Sequence, residues 1–194
     1  MSRLALALIC ALANAGLQAA ATAVAPSSLD QLLQLLATRQ HGHVSFTEVQ
    51  ELHMLQRPLR SSGELLYDAP DRLEKRTLLP RPETLLLEHG VLRMQRGQHT
   101  RVLALQDYPQ VVPFVESIRA TLAGDRAALE HYFTVSFSGT LEHWTLELVP
   151  REATLARTVQ QVRISGERDT IHTVEIRQSD GDASVLTIGT TVEP

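Results

Sequence analysis

The chain has 194 residues, with 22 acidic against 18 basic and a formal net charge of −4 at pH 7. Its basic residues are scattered among acidic ones with no polybasic run, which argues against nucleic acid as a partner and against tight electrostatic docking on anionic lipid. A single cysteine excludes an intramolecular disulfide and any thiolate metal cluster.

Arg3 followed by the apolar run Leu4 to Leu17 and the small residues Ala19 to Ala23 has the order of a secretory signal: a positive start, a greasy stretch, then small residues for the peptidase. The run is shorter than the roughly 20 residues a membrane-spanning helix needs. Residues 1–23 therefore read as a signal peptide, with cleavage near Ala21 to Ala25, and residues 24–194 as a single exported domain. Cys10 lies inside the signal. Ile9 precedes it and the apolar run continues past it, so it is no lipidation site. Without Arg3 the mature chain has 17 basic and 22 acidic residues, a net charge near −5. Its core must hold by packing, although an oxidising compartment would have allowed disulfides.

Pro26-Ser27-Ser28 opens a helix, with Ser28 as its cap and Gln31 three residues on. Leu29, Leu32, Leu33 and Leu36 then fall on one stripe. From Val44 the period shortens to two, and turn residues close each run. Strands are predicted at 44–53, 61–68, 72–78, 83–89, 91–96 and 100–105. Val111, Phe114, Val115, Ile118 and Leu122 return to helical spacing over 109–123, with Gly124 ending that helix and Asp125 capping a short one to His131. Strands resume at 133–139, 141–149, 159–166, 171–178 and 184–190.

Strand parity separates two faces. Leu65, Tyr67, Leu73, Leu85, Leu87, Leu92, Met94, Trp144, Leu146 and Leu148 share one; Glu64, Arg72, Glu74, Arg76, Glu88, Arg93, Gln95, Thr145 and Glu147 share the other. About eleven short strands with one apolar face and few helices bury that face only by curling. The fold class is thus α+β, mainly β: an incomplete antiparallel barrel with an N-terminal helix and a helical lid. Pattern alone favours an ordinary core inside it, filled by side chains.

No Gly-x-Ser-x-Gly, His-Glu-x-x-His, P-loop or Gly-x-Gly-x-x-Gly motif is present. His41 and His43 have the i,i+2 spacing of two ligands on one side of a strand but no third ligand nearby in sequence. Asp180-Gly181-Asp182 fits a hairpin turn better than a calcium loop. Asp68 and Asp71 bracket Pro70 as turn formers. No enzyme, metal or cofactor is expected, although carboxylates from distant strands leave a hydrolase open.

One segment is more specific. Val44-Ser-Phe-Thr-Glu-Val-Gln50, then Pro58-Leu-Arg-Ser-Ser-Gly63-Glu-Leu65-Leu-Tyr67-Asp-Ala-Pro70-Asp-Arg-Leu73, resembles the N-terminal half of the LolA family of periplasmic lipoprotein carriers. The match is best to a LolA-related branch with a Pro-Leu-x-Ser-x-Gly-x-Leu stretch, and at motif level it spans residues 44–90. The resemblance implies a monomeric periplasmic carrier whose cavity holds acyl chains of lipoproteins or of another lipidated product. The apolar set from Leu65 to Leu148 would line that cavity, and Val111 to Leu122 would form its lid. It also implies an inner-membrane exporter as donor and an outer-membrane acceptor. In the family an arginine before the proline latches the lid; here Ala69 precedes Pro70, and Arg72 points to the wet face. Aromatic poverty, 4% of residues, suggests a more aliphatic cavity and a different lipid. The alternative is a structural or adaptor domain on the same scaffold with a filled core.

Overall fold

The computed structural model describes residues 28–107 and 112–191. Helix α1 (Ser28–Ala37) leads into strands β1 (His41–Glu51), β2 (Leu59–Asp68), β3 (Arg72–Leu79), β4 (Glu83–Glu88), β5 (Val91–Arg96) and β6 (His99–Ala104). A 3-10 turn (Leu105–Asp107), α2 (Val112–Ala123) and α3 (Arg126–Tyr132) follow. Then come β7 (Phe133–Gly139), β8 (Trp144–Pro150), the single turn α4 (Ala153–Ala156), β9 (Val159–Glu167), β10 (Thr170–Gln178) and β11 (Ala183–Thr191).

All eleven strands form one antiparallel sheet, in the order β6-β5-β4-β3-β2-β1-β11-β10-β9-β8-β7. Strands consecutive in sequence pair with one another, apart from β6 and β7, and β1 also pairs with β11. The edges β6 and β7 do not pair, so the barrel is incomplete, and the chain between them carries α2 and α3.

The period-two pattern located every strand; their ends shifted with the ladders. β1 starts at His41 rather than 44 because His41 to His43 pair with Leu66 to Asp68. β8 starts at Trp144 rather than 141 because residues 140–143 turn, with the Thr140 amide donating to the His143 carbonyl. α4 and the 3-10 turn at Leu105 are too short to register as helical periodicity. Asp125 caps α3, its carboxylate accepting the Ala128 amide at 2.9 Å. The signal segment, Val111 and the cap environment before Ser28 lie outside the described residues.

Curling needs close backbone approach. At Gly63 the β2–β3 register slips, and a Cβ there would sit 1.9 Å from the Arg76 carbonyl oxygen. Only glycine fits such a contact, which bends β3 over β2.

Candidate functional site

The concave face of the sheet has two unlike halves. Over β8, β9 and β10 it meets α1 and α3. Leu32, Leu33 and Leu36 of α1 and Leu129 of α3 are buried in one cluster with Leu146, Leu148, Val162 and Ile164. That cluster has the character of a filled core.

Over β1 to β5 the sheet meets α2, and here it encloses a cavity of about 1040 Å³. Leu65, Tyr67, Leu73, Leu85, Leu87 and Leu92 form its sheet wall. Val115, Ile118 and Leu122 of α2 lie opposite, and Ile171 and Ile188 border the filled half. Register explains the convergence: Tyr67 faces Leu73, Leu73 faces Leu87 and Leu87 faces Leu92 in successive ladders, so one parity builds one wall.

Nine of the residues expected at this site therefore meet around the cavity, but others do not. Trp144, Leu146 and Leu148 share the parity yet sit in the filled core, exposed by 2% or less, because β8 lies six strands from β3 and beneath α1. Met94 pairs with Leu85 in the ladder but is not among the lining residues. Phe114 belongs to α2, and Val111 falls outside the described residues.

Residues the pattern did not single out also line the space: Gly42, Val44, Lys75, and a polar corner of Arg39, Asp169 and His172. Lys75 was legible as the charge on the apolar parity of Leu73. It reaches across the wall, its Nζ 2.6 Å from Glu48 Oε2 and 5.0 Å from the centroid of Phe46. Glu48 also accepts from Ser61 at 3.2 Å, Ser184 at 2.8 Å and Gln50 at 3.1 Å. Burial pushes the Glu48 pKa up, but the hydrogen bond and charge of Lys75, with the bonds from Ser184 and Gln50, outweigh it and hold the carboxyl below its ordinary value. Glu48 thus joins β1 to β2, β3 and β11 through one carboxylate.

In the polar corner Arg39 Nη2 donates to Asp169 at 2.9 Å and to Thr170 at 3.2 Å. The Arg39 hydrogen bond is the main cause of a lowered Asp169 pKa. Both side chains are partly exposed, so the cavity meets solvent there. At the same end burial pushes the Tyr67 phenol pKa up, with Asp71 adding and Arg119 opposing.

The remaining candidates have structural partners. His41 bonds to Asp68 at 2.9 Å and His43 to Glu64 at 3.1 Å, so the two rings serve separate carboxylates. Asp180 accepts the Asp182 amide in the β10–β11 turn, where Gly181 has φ +95°. Asp182 in turn accepts from the backbone and ring of His53. Arg72 does lie on the outer face, paired with Glu74 at 2.9 Å and Asp68 at 3.3 Å.

Residues 19–192 match the family model described as outer membrane lipoprotein carrier protein LolA-like. No curated protein matches the chain. Among solved structures, a LolA superfamily protein from Nitrosomonas europaea is 11% identical, covering 87% of this chain and 94% of that one at a TM-score of 0.45. LprF from Mycobacterium bovis is 11% identical over 86% of this chain and 93% of its own, with a TM-score of 0.35. A chain of the MucA/MucB complex of Pseudomonas aeruginosa is 15% identical, covering 85% of this chain and 58% of that one at 0.45. All three scores are below 0.5, and the functional reading rests on the family match and the cavity instead.

Proposed function

The chain belongs to the LolA-like family of outer membrane lipoprotein carrier proteins, and from that premise we propose that it is a periplasmic carrier holding acyl chains in the cavity beneath α2. The observation that supports this most is the cavity itself. At about 1040 Å³ it stands at the top of the range of roughly 300–1,000 Å³ for small-ligand pockets, and its walls are mostly aliphatic. An acyl chain needs no directional recognition; removing its surface from water contributes about 25 cal/mol per Å². A wall of leucines, valine and isoleucines supplies that and still lets the chain leave.

The cargo would be the acyl chains of a lipoprotein or of another lipidated product, received from an inner-membrane exporter and passed to an outer-membrane acceptor by a monomer. Export by the 1–23 leader, leaving 24–194 as the working domain, belongs to the same reading. Among the described residues no helix is long and apolar enough to cross a membrane. Binding, rather than catalysis, is the role of this fold family.

Gentle purification from periplasm followed by native mass spectrometry tests the proposal. A lipid-sized adduct is expected, displaced by a fluorescent fatty acid that brightens on binding. An adduct-free protein that ignores the fatty acid would point to the adaptor reading.

A further inference from the structure

Among the described residues nine large apolar side chains are notably exposed, and five of them gather at one end of the sheet. Met54 (83% exposed) and Leu55 occupy the connection from β1 to β2 and Leu59 opens β2, while Leu78 and Leu79 (64%) end β3. The other four, Val91, Val102, Val149 and Val185, lie singly on separate strands. Leu59 opens β2 opposite Gln50 and Leu79 closes β3 opposite Ser62, so the antiparallel ladders bring both hairpin tips to the same end.

Arg57, Arg60 and Arg81 stand among these side chains, exposed, with no ion pair among the described residues. Segments 52–60 and 78–82 contain no acid. Acids border this end on one side only. Glu83 binds Arg96 at 2.9 Å; Asp182 binds His53 beside Met54, with Asp180 within 4.8 Å of that ring, and Glu51 pairs with Ala183, so these three acids lie on the β10–β11 side of the β1–β2 tip and none lies in the β3–β4 tip. Read along the sequence, these arginines form no basic run; the fold assembles them.

We propose that these two tips are a membrane-docking surface, dipping Met54, Leu55, Leu78 and Leu79 into the interface of an anionic bilayer while the arginines meet lipid phosphates. Apolar apices ringed by unpaired arginine match an interface whose acyl boundary lies just below a layer of negative headgroups. Docking at the tips is independent of what the cavity holds.

The test places an environment-sensitive fluorophore on Leu79→Cys in the full chain with Cys10→Ser, so that the reading comes from the tip and not from the apolar leader. Vesicles of phosphatidylcholine with phosphatidylglycerol should shift its emission to the blue, more weakly at high salt, and pure phosphatidylcholine should shift it far less. On a fluorophore moved to Met54→Cys, adding Leu78→Ser and Leu79→Ser should weaken vesicle binding at least tenfold. Arg57→Gln, Arg60→Gln and Arg81→Gln should each weaken it roughly fivefold at low salt. Circular dichroism and fatty-acid uptake should stay native in these variants, which separates failure of docking from failure of the cavity. No shift with anionic vesicles, or unchanged binding in the tip variants, would overturn the proposal and leave the tips to a protein partner.

Discussion

The two halves of the concave face are built from the same alternation and end in opposite states. Leu146 and Leu148 on β8 are fully buried beneath α1, while Leu73 and Leu85 on β3 and β4 look onto open space beneath α2. The difference lies in the helix. α1 brings four leucines onto the sheet, each exposed by 8% or less, whereas Val115, Ile118 and Leu122 of α2 line the far side of a cavity. A sheet determines which side chains avoid water; the element opposite determines whether they touch.

The sharpest way to break this comparison is a matched pair of charges. Leu146→Glu places a carboxylate where there is neither space nor water, and it should unfold the protein, the cost rivalling a total stability of roughly 5–15 kcal/mol. Leu73→Glu should leave a cooperative thermal transition and sharply reduce fatty-acid binding. If both variants unfold, the cavity wall is ordinary core; if Leu73→Glu leaves binding unchanged, the parity assigned to β3 is wrong.

A smaller effect is expected at the Lys75–Glu48 ion pair set into the wall. Lys75→Met strands Glu48 among buried partners and should cost about 2 kcal/mol, below the 3–5 kcal/mol of fully buried pairs because Lys75 keeps some exposure. Denaturant midpoints measure it, and adding Glu48→Gln should recover part of the loss. A cost that Glu48→Gln leaves untouched would show that Lys75 acts only by filling space.

Smaller again is the pH response. Glu48 and Asp169 have carboxyl pKa values lowered by folding, so the stability they contribute is complete above the unfolded value of about 4 and fades as pH falls through the folded one. Unfolding midpoints should decline as pH falls below about 4, with Glu48→Gln flattening the decline. Smallest is Ala69→Arg, which restores the arginine the family resemblance leads one to expect before Pro70. Fatty-acid release followed by stopped flow should slow severalfold if that side chain reaches the lid.

How much of this was legible follows from where the information resides. Period two identified every strand and put Leu65, Tyr67, Leu73, Leu85 and Leu87 on the one parity that lines the cavity, because parity is local and each ladder preserves it. It grouped Trp144 and Leu146 with them because parity carries no address: a β8 residue and a β3 residue can share a face and lie six strands apart. The five outward apolar residues and three arginines at the hairpin tips escaped notice for a related reason, since turns that are distant in sequence become neighbours only once the sheet is ordered. Lys75 was readable as a charge out of phase with its strand, but its partner Glu48 was identifiable only across the β1–β2–β3 register.

The end of α2 bears on how such a cavity keeps its far wall in place. Gly124, at φ +67°, comes so near α1 that a Cβ would lie 2.5 Å from the Leu33 carbonyl oxygen and 2.8 Å from the Ala37 side chain. The Asp125 amide donates back to the Ala120 carbonyl at 2.8 Å, and Asp125 holds Arg119 at 3.5 Å. One end of the helix is thereby pinned to the well-packed half of the molecule. The same helix serves both halves of the concave face: Ser117, Ala120 and Thr121 are buried on the packed side, while Val115, Ile118 and Leu122 line the cavity, so the filled core fixes the position of the cavity's far wall.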